Sequence, residues 1–392
     1  MRAILTDEMQ GETVALRPQE GKSVTQHGSR NAREKFDTPE QVFLGASPEF
    51  GRGGLVIASC SCGSYMARKV IEHYRIQLQK KSGESDPVEM LDVDSRFTDS
   101  ETHVRLEQHV SGRDVFLFQA LCDPVSGTKI DENYMAFLIA ARAFREHGAR
   151  HITAVLPYLA YARQDKPTKF RREPTTARLM ADLSIQAGID QLIAWHPHSG
   201  QLYGFYGTTP IHFLEPISLF VDLCSRLKSR NDVIAVAPDA GASKLVTHFS
   251  RSLDVSSAVA SKLRTGPQEI KITQIMGDFR KKRTAIVLDD IVSSGGTVFE
   301  LIRQLVEGGK VEEVILCASH NLCMQEAYDR FVTLHERFKL VEIMVTDSIP
   351  QTDQFGSLPF FSVHSLSGIL SKVIRCLHHE RSISEIFGHS LE

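Results

Sequence analysis

No apolar run in the chain approaches the roughly 20 residues that a membrane-crossing helix needs, so no span of that kind is expected. Neither sign of charge dominates. Forty-five Lys and Arg face 48 Asp and Glu, a net charge of −3, which gives no electrostatic footing for nucleic acid. Cysteine is sparse and odd in number, seven in all, and the tightest pair, Cys60 and Cys62, lacks the CxxC spacing of a zinc site. Reduced cytosolic thiols are the expectation. The N-terminus has no apolar signal core, and Asp7, Glu8, Glu12 and Glu20 argue against a transit peptide, so a cytoplasmic location is expected. A P-loop is missing too: Gly21-Lys22-Ser23 would need a glycine where Leu16 sits.

What is present is an ordinary globular composition, 42% hydrophobic and 24% charged, in 392 residues. At about 150 residues per domain that length suits two domains. Residues 1–50 show no sustained periodicity and read as a disordered extension or a partner-binding arm. Order is expected from Gly54, with a second polar stretch at 80–87. Strands are expected at 55–58, 114–120, 152–157, 191–195, 233–237, 284–288, 313–318 and 341–346. Helices are expected at 65–74, 133–147, 173–187, 216–227, 242–250, 297–308 and 324–338. Continuous apolar strands alternating with helices predict α/β architecture, each sheet mainly parallel and flanked by helices, with two such units in tandem. The units are placed at 51–213 and 214–365, and a C-terminal helix within 366–387 is expected to pack back on the first.

In open α/β sheets ligands sit beyond the C-terminal strand ends, and each polar motif falls at such an end. Residues 284–297 read TAIVLDDIVSSGGT: a strand, two carboxylates (Asp289, Asp290), then Ser293, Ser294, Gly295, Gly296 and Thr297 opening a helix. Backbone N–H groups at such a helix start, with hydroxyls beside them, cradle phosphate, and paired carboxylates suit a diol or a metal. The pair of features suggests a sugar phosphate; the plainer alternative is a tight turn with a capping Ser. Residues 237–244, APDAGASK, form a second such loop behind Asp239, with a capping Asp as the alternative. Residues 157–172, PYLAYARQDKPTKFRR, make a long basic excursion carrying Arg163, Gln164 and Asp165, either a lid over an anion or a solvated loop. Lys262 and Arg264 alternate in SKLR and share one face of an extended segment, suited to clamping a polyphosphate unless that face is merely solvated. Phe97, Asp99 and Glu101 in RFTDSE would share a face if extended and could meet a base. His196 and His198 at a strand end gain a metal role only if carboxylates converge on them.

Taken together, RFTDSE, PYLAYARQD, REPTTARL, HSGQLYGFY, APDAG, the KxR pair, KKRTAIVLDDIVSSGGT and VTDSIP resemble, in order, the ribose-phosphate pyrophosphokinase (PRPP synthetase) family from about Gly54 to Phe387. The resemblance implies two tandem phosphoribosyltransferase-like domains and diphosphoryl transfer from MgATP to O1 of ribose 5-phosphate, giving PRPP and AMP for nucleotide biosynthesis. It implies that Asp289 and Asp290 hold the ribose hydroxyls, and that Ser293, Ser294, Gly295, Gly296 and Thr297 hold the 5-phosphate, with Asp239 beside them. Lys262, Arg264 and Arg163 would stabilise the transferring group, and His198 and Asp239 would ligate Mg²⁺. Arg163, Gln164 and Asp165 would contact ATP. Phe97, Asp99 and Glu101 would meet adenine from a neighbouring subunit of a homo-oligomer, whether dimer, tetramer or hexamer. Such transfer needs positioning and charge stabilisation more than covalent help from the protein. The chain departs from the family's usual Asp-Leu-His at His196-Pro197-His198, and from Asp-Thr at Ser293-Ser294. Two rivals are a phosphoribosyltransferase, which would consume PRPP, and a catalytically silent regulatory homologue. The lid loop and a complete preceding α/β unit weigh against the first. The presence of Lys262, Arg264, Arg163, Asp239 and His198 weighs against the second.

Overall fold

A computed structural model of the chain describes residues 52–78, 86–264 and 270–387, with the side chains of 263, 264, 270, 271, 385 and 387 left out of that description. The arm at 1–50, most of the polar stretch at 80–87 and the side chain of Arg264 therefore lie outside the described residues.

Two sheets dominate. The first is all parallel, built from β1 (Leu55–Ser59), β2 (Val88–Met90), β5 (Asp114–Phe118), β6 (His151–Val155), β7 (Gln191–Trp195) and β8 (Ile211–Leu214) in the order β2-β1-β5-β6-β7-β8. The second contains β9 (Val233–Ala237), β10 (Ser256–Arg264), β11 (Ile270–Met276), β12 (Thr284–Val292), β13 (Glu313–Asn321), β14 (Leu340–Thr346) and β15 (Phe361–His364), ordered β11-β10-β9-β12-β13-β14-β15. Only the β10–β11 pair is antiparallel there. A separate hairpin joins β3 (Asp94–Arg96) to β4 (Thr102–Val104). Strands buried on both faces need apolar residues at every position, which is why LVIAS and VIAVA run without alternation and are buried throughout.

The main helices are α1 (Ser64–Leu78), α2 (Ile130–Glu146), α3 (Thr176–Ala187), α4 (Ile217–Leu223), α5 (Ser243–Leu253), α6 (Gly296–Glu307), α7 (Gln325–Arg337) and α8 (Ser367–His378). Each turns an apolar stripe to a sheet. In α8, Leu370, Val373, Ile374 and Leu377 recur at helical spacing and share one buried cluster with Val70, Ile71, Tyr74 and Phe116 of the first sheet's side. The last long helix thus lies on α1 and not on the sheet that precedes it.

The architecture follows the hydrophobic pattern, whereas β2, β3, β4, β8, β11 and β15 had no counterpart in it. Most of these hold three or four residues with mixed polarity, too short to display a period. Two expectations are corrected. Strand β12 continues past Leu288 to Val292, because β13 keeps pairing with it, Asp289 opposite Ala318 and Ile291 opposite His320. Both carboxylates therefore stand within a strand, not after one. Residues 97–101 are not extended: they are the hairpin tip, closed by Phe97 N–H to Glu101 O at 2.9 Å and Ser100 N–H to Phe97 O at 3.0 Å, with Ser100 at φ 76°. A turn removes the shared face that alternation would give Phe97, Asp99 and Glu101.

Candidate functional site

Parallel strands deliver their C-terminal ends to one edge, and the polar residues gather there. Asp289, Asp290, Asp239, Lys262, His196 and His198 line one cavity of about 620 Å³, with Asp165 and Lys166 at its side. A neighbouring recess of about 920 Å³ is lined by Arg163, Gln164, Asp165, Lys166, Tyr161 and His198, among others. The two share Asp165, Lys166 and His198.

Asp239 leaves β9 and curls back on its own turn. Its Oδ1 accepts the N–H groups of Gly241 at 2.7 Å and Ala242 at 3.2 Å, while Oδ2 accepts Lys262 Nζ. The turn-capping role and the charged role are both filled by one carboxylate. Burial pushes its pKa up, but the Lys262 ammonium and the two N–H groups outweigh that and hold it below the usual carboxylate range. A Cβ at residue 241 would sit 2.9 Å from Asp239 Oδ1, so a larger residue there would displace that carboxylate. Lys262 follows an irregularity in the β10–β11 register between Ser261 and Lys262.

The two carboxylates of β12 are pulled in opposite directions. His198 Nδ1 lies 2.5 Å from Asp290 Oδ2. Burial raises Asp290, but that hydrogen bond and the imidazole charges more than offset it, so Asp290 stays ionised well below the ordinary range. The same bond raises His198. Asp289 is driven well upward, first by burial and then by the charge of Asp290, while its Oδ1 accepts the Asp290 N–H at 3.0 Å. The pair therefore offers one carboxylate held as an acceptor and one shifted toward its protonated form.

After β12 the chain turns through Ser293 and Ser294 into Gly295, which sits at φ 75° as the residue before α6. Glycine adopts that left-handed backbone without a Cβ penalty. No side chain caps α6, so the capping-Ser alternative fails and the first N–H groups of the helix stay open. Gly296 and Thr297 form its first turn.

Arg163 and Gln164 are exposed on the loop at 157–172, and Asp165 beside them is only 7% exposed. Arg264 lies on β10 by its backbone. Phe97, Asp99 and Glu101 line neither cavity; Phe97, 54% exposed, faces a separate recess of about 660 Å³ with His103 and Arg105. Among the described residues no three His, Cys, Asp or Glu side chains are grouped to hold a metal ion. His198 and Asp239, the residues expected to hold one, are engaged with Asp290 and Lys262 respectively.

Residues 55–188 match the N-terminal domain of ribose phosphate pyrophosphokinase, and residues 218–335 match the phosphoribosyl transferase domain. A ribose-phosphate pyrophosphokinase of Mycoplasma pneumoniae is 34% identical over 298 residues, spanning 76% of this chain and 88% of that protein. The chain belongs to the ribose-phosphate pyrophosphokinase family. A relative of that name from Campylobacter jejuni is 33% identical over 74% of this chain and 89% of its own. The crystal structure of phosphoribosylpyrophosphate synthetase from Mycobacterium smegmatis superposes with a TM-score of 0.70 at 26% identity, covering 83% of this chain and 99% of that one.

Within this family site, the sequence motifs did not mark His320, Ser319 or Arg330. His196 Nδ1 lies 2.5 Å from Ser319 Oγ, and His320 Nε2 lies 3.1 Å from the His196 carbonyl, so two bonds stitch the end of β7 to the end of β13. His196 holds φ 40°, unusual for a side chain of its size, and that pair of bonds secures it. The SHN triplet at a strand end was the available signal, being a polar run in a buried strand.

Proposed function

We propose that the chain transfers the diphosphoryl group of MgATP to O1 of ribose 5-phosphate, forming PRPP and releasing AMP, in the cytoplasm and as a homo-oligomer. One observation carries this reading. A carboxylate- and lysine-lined cavity adjoins a basic recess and shares walls with it, which gives an acceptor sugar and a nucleotide donor adjacent seats. A phosphoribosyltransferase needs neither the 157–172 loop that lines the second recess nor the complete α/β unit before it.

In the reaction, O1 forms a bond to the β-phosphorus as the bridge from that phosphorus to the α-phosphate breaks; AMP takes the bridging oxygen and the O1 proton is lost. Asp289 and Asp290 orient the ribose hydroxyls. Residues 293–297 take the 5-phosphate on open backbone N–H groups and hydroxyls. Lys262, Arg264 and Arg163 stabilise the charge that grows on the transferring group, and Gln164 and Asp165 contact the nucleotide. Phe97, Asp99 and Glu101, on an exposed hairpin tip away from both cavities, suit the adenine of a neighbouring subunit. Mg²⁺ usually takes one or two protein groups beside phosphate oxygens and water, and His198 through Nε2 with Asp239 would supply those two; the bound ion neutralises phosphate charge. Asp239, whose Oδ2 is paired with Lys262, would serve both such a set and the ribose 5-phosphate seat.

The test is a product assay on the purified full chain with Mg²⁺, ATP and ribose 5-phosphate. AMP and PRPP in equal amounts are expected. ADP would overturn diphosphoryl transfer, and absence of turnover would point to the silent homologue. Consumption of added PRPP with a free base, releasing pyrophosphate, would point to the transferase.

A further inference from the structure

Arg330 is absent from every motif, yet it backs directly onto the loop at 293–297. It lies on α7, one turn after Ala327. A Cβ built on Gly295 would sit 3.5 Å from the Cα of Ala327 and 3.8 Å from Cδ of Arg330, so this face of α7 supports the loop from behind. The Arg330 guanidinium reaches past it and donates through Nη1 to the carbonyl oxygen of Ser294. That same Nη1 lies 3.8 Å from where a Cβ of Gly296 would be. No carboxylate among the described residues pairs with Arg330, so its charge is not spent elsewhere. Half-buried arginines without a carboxylate are costly to keep unless the charge is used.

We infer that Arg330 is a positioning residue for ribose 5-phosphate: it fixes the Ser294–Gly295 peptide so that the loop presents N–H groups to the 5-phosphate, and it adds a fixed positive charge behind them. A trans peptide is planar, with its carbonyl and N–H pointing opposite ways. Tying the Ser294 carbonyl back to α7 aims the Gly295 N–H away from the helix, toward the mouth of the loop. Gly295 at φ 75° then turns the chain so that the following N–H groups of α6 join it, the concave arrangement that binds anions. Without the tie the peptide is free to rotate, and the carbonyl oxygen could face the phosphate. The inference rests on the reading that this loop takes the 5-phosphate.

The test compares Arg330→Met and Arg330→Lys with the unaltered full chain. Arg330→Met should raise KM for ribose 5-phosphate about tenfold or more, because a charge-assisted bond to the loop is lost. It should leave KM for ATP unmoved and kcat within about threefold. Arg330→Lys, which keeps one donor and the charge on a flexible stem, should recover part of that loss. An unchanged KM for ribose 5-phosphate overturns the inference. So does a fall in kcat with both KM values displaced together, the signature of a merely structural residue. If Arg330→Met fails to fold, Arg330→Lys decides alone: a KM for ribose 5-phosphate equal to that of the unaltered chain, or a matching rise for ATP, counts against it. Calorimetric binding of ribose 5-phosphate to the same proteins separates this inference from the assigned reaction. Should the unaltered chain bind the sugar phosphate yet release no AMP, the reaction is wrong, and the Arg330 effect on the binding constant still decides the positioning role.

Discussion

Replacing His320 by Gln should flatten the pH dependence of stability by a calculable amount. His320 is 3% exposed at the end of β13. Its Nε2 faces the carbonyl of His196 at 3.1 Å, so Nε2 carries the proton, and Nδ1 is left to accept from Ser348 Oγ at 2.8 Å. Thr346 Oγ1 serves the Ser319 carbonyl in turn. The ring is thus satisfied as a neutral imidazole. Burial lowers its pKa to about 4 from an ordinary 6.5, against smaller upward pulls from the His196 carbonyl and Asp290. The folded value lies below the unfolded one, so the unfolded chain takes up the proton first. Stability is intact above about pH 6.5, falls below it, and the loss levels off near pH 4. At about 1.4 kcal/mol per pKa unit the full loss is about 3 kcal/mol, of which about 2 kcal/mol has accrued by pH 5. Other groups oppose this trend, since His198 and Asp289 are shifted upward and gain stability as pH falls. The comparison must therefore be between His320→Gln and the unaltered chain at each pH. Gln keeps a donor for the His196 carbonyl and cannot ionise. Urea unfolding at pH 7.5, 6.5, 5.5 and 5.0 should show the gap between the two narrowing by about 2 kcal/mol toward pH 5. Parallel stability curves would refute a neutral, buried His320.

Two further perturbations probe other parts of the fold. If Lys262 stabilises the transferring group as proposed, Lys262→Met should lower kcat by about 10²–10³ with KM for ATP moving less than about threefold; steady-state kinetics with both substrates decides it, and equal changes in both constants would exclude that role. Ile374→Ala, at a fully buried position of α8, should cost about 2–5 kcal/mol in urea unfolding, whereas an unpacked helix end would give almost no change.

The parts of this architecture that were legible in the sequence are those where many residues repeat one physical demand. Val233–Ala237 must be apolar throughout because both faces are covered, and α8 must carry an apolar stripe because one face is. The two strand-to-helix loops behind Asp239 and Asp290 were legible as turns for a related reason: glycine and hydroxyl residues packed into a few positions mark a tight helix entry. What could not be read is pairwise. Nothing in LDDIV says whether the strand ends before or within the carboxylates, because the answer lies in β13, whose pairing carries β12 on to Val292. Arg330 looks like any surface arginine on an amphipathic helix until α7 is laid against residues 294–296. Nothing in the sequence says how His196 is accommodated at its strand end; only Ser319 and His320, brought beside it by β13, show it.

The return of α8 to α1 has a consequence for biosynthesis. Strands β1 to β8 leave the ribosome first, yet the cluster that covers their outer face includes Leu370, Val373, Ile374 and Leu377. At roughly 5–20 residues per second, the stretch from Leu214 to Leu377 takes on the order of ten to thirty seconds to synthesise. For that interval the cluster that α1 forms with the first sheet, around Val70, Ile71 and Phe116, lacks the side chains α8 contributes. A nascent chain stalled before residue 367 would lack that cover and present the patch to chaperones.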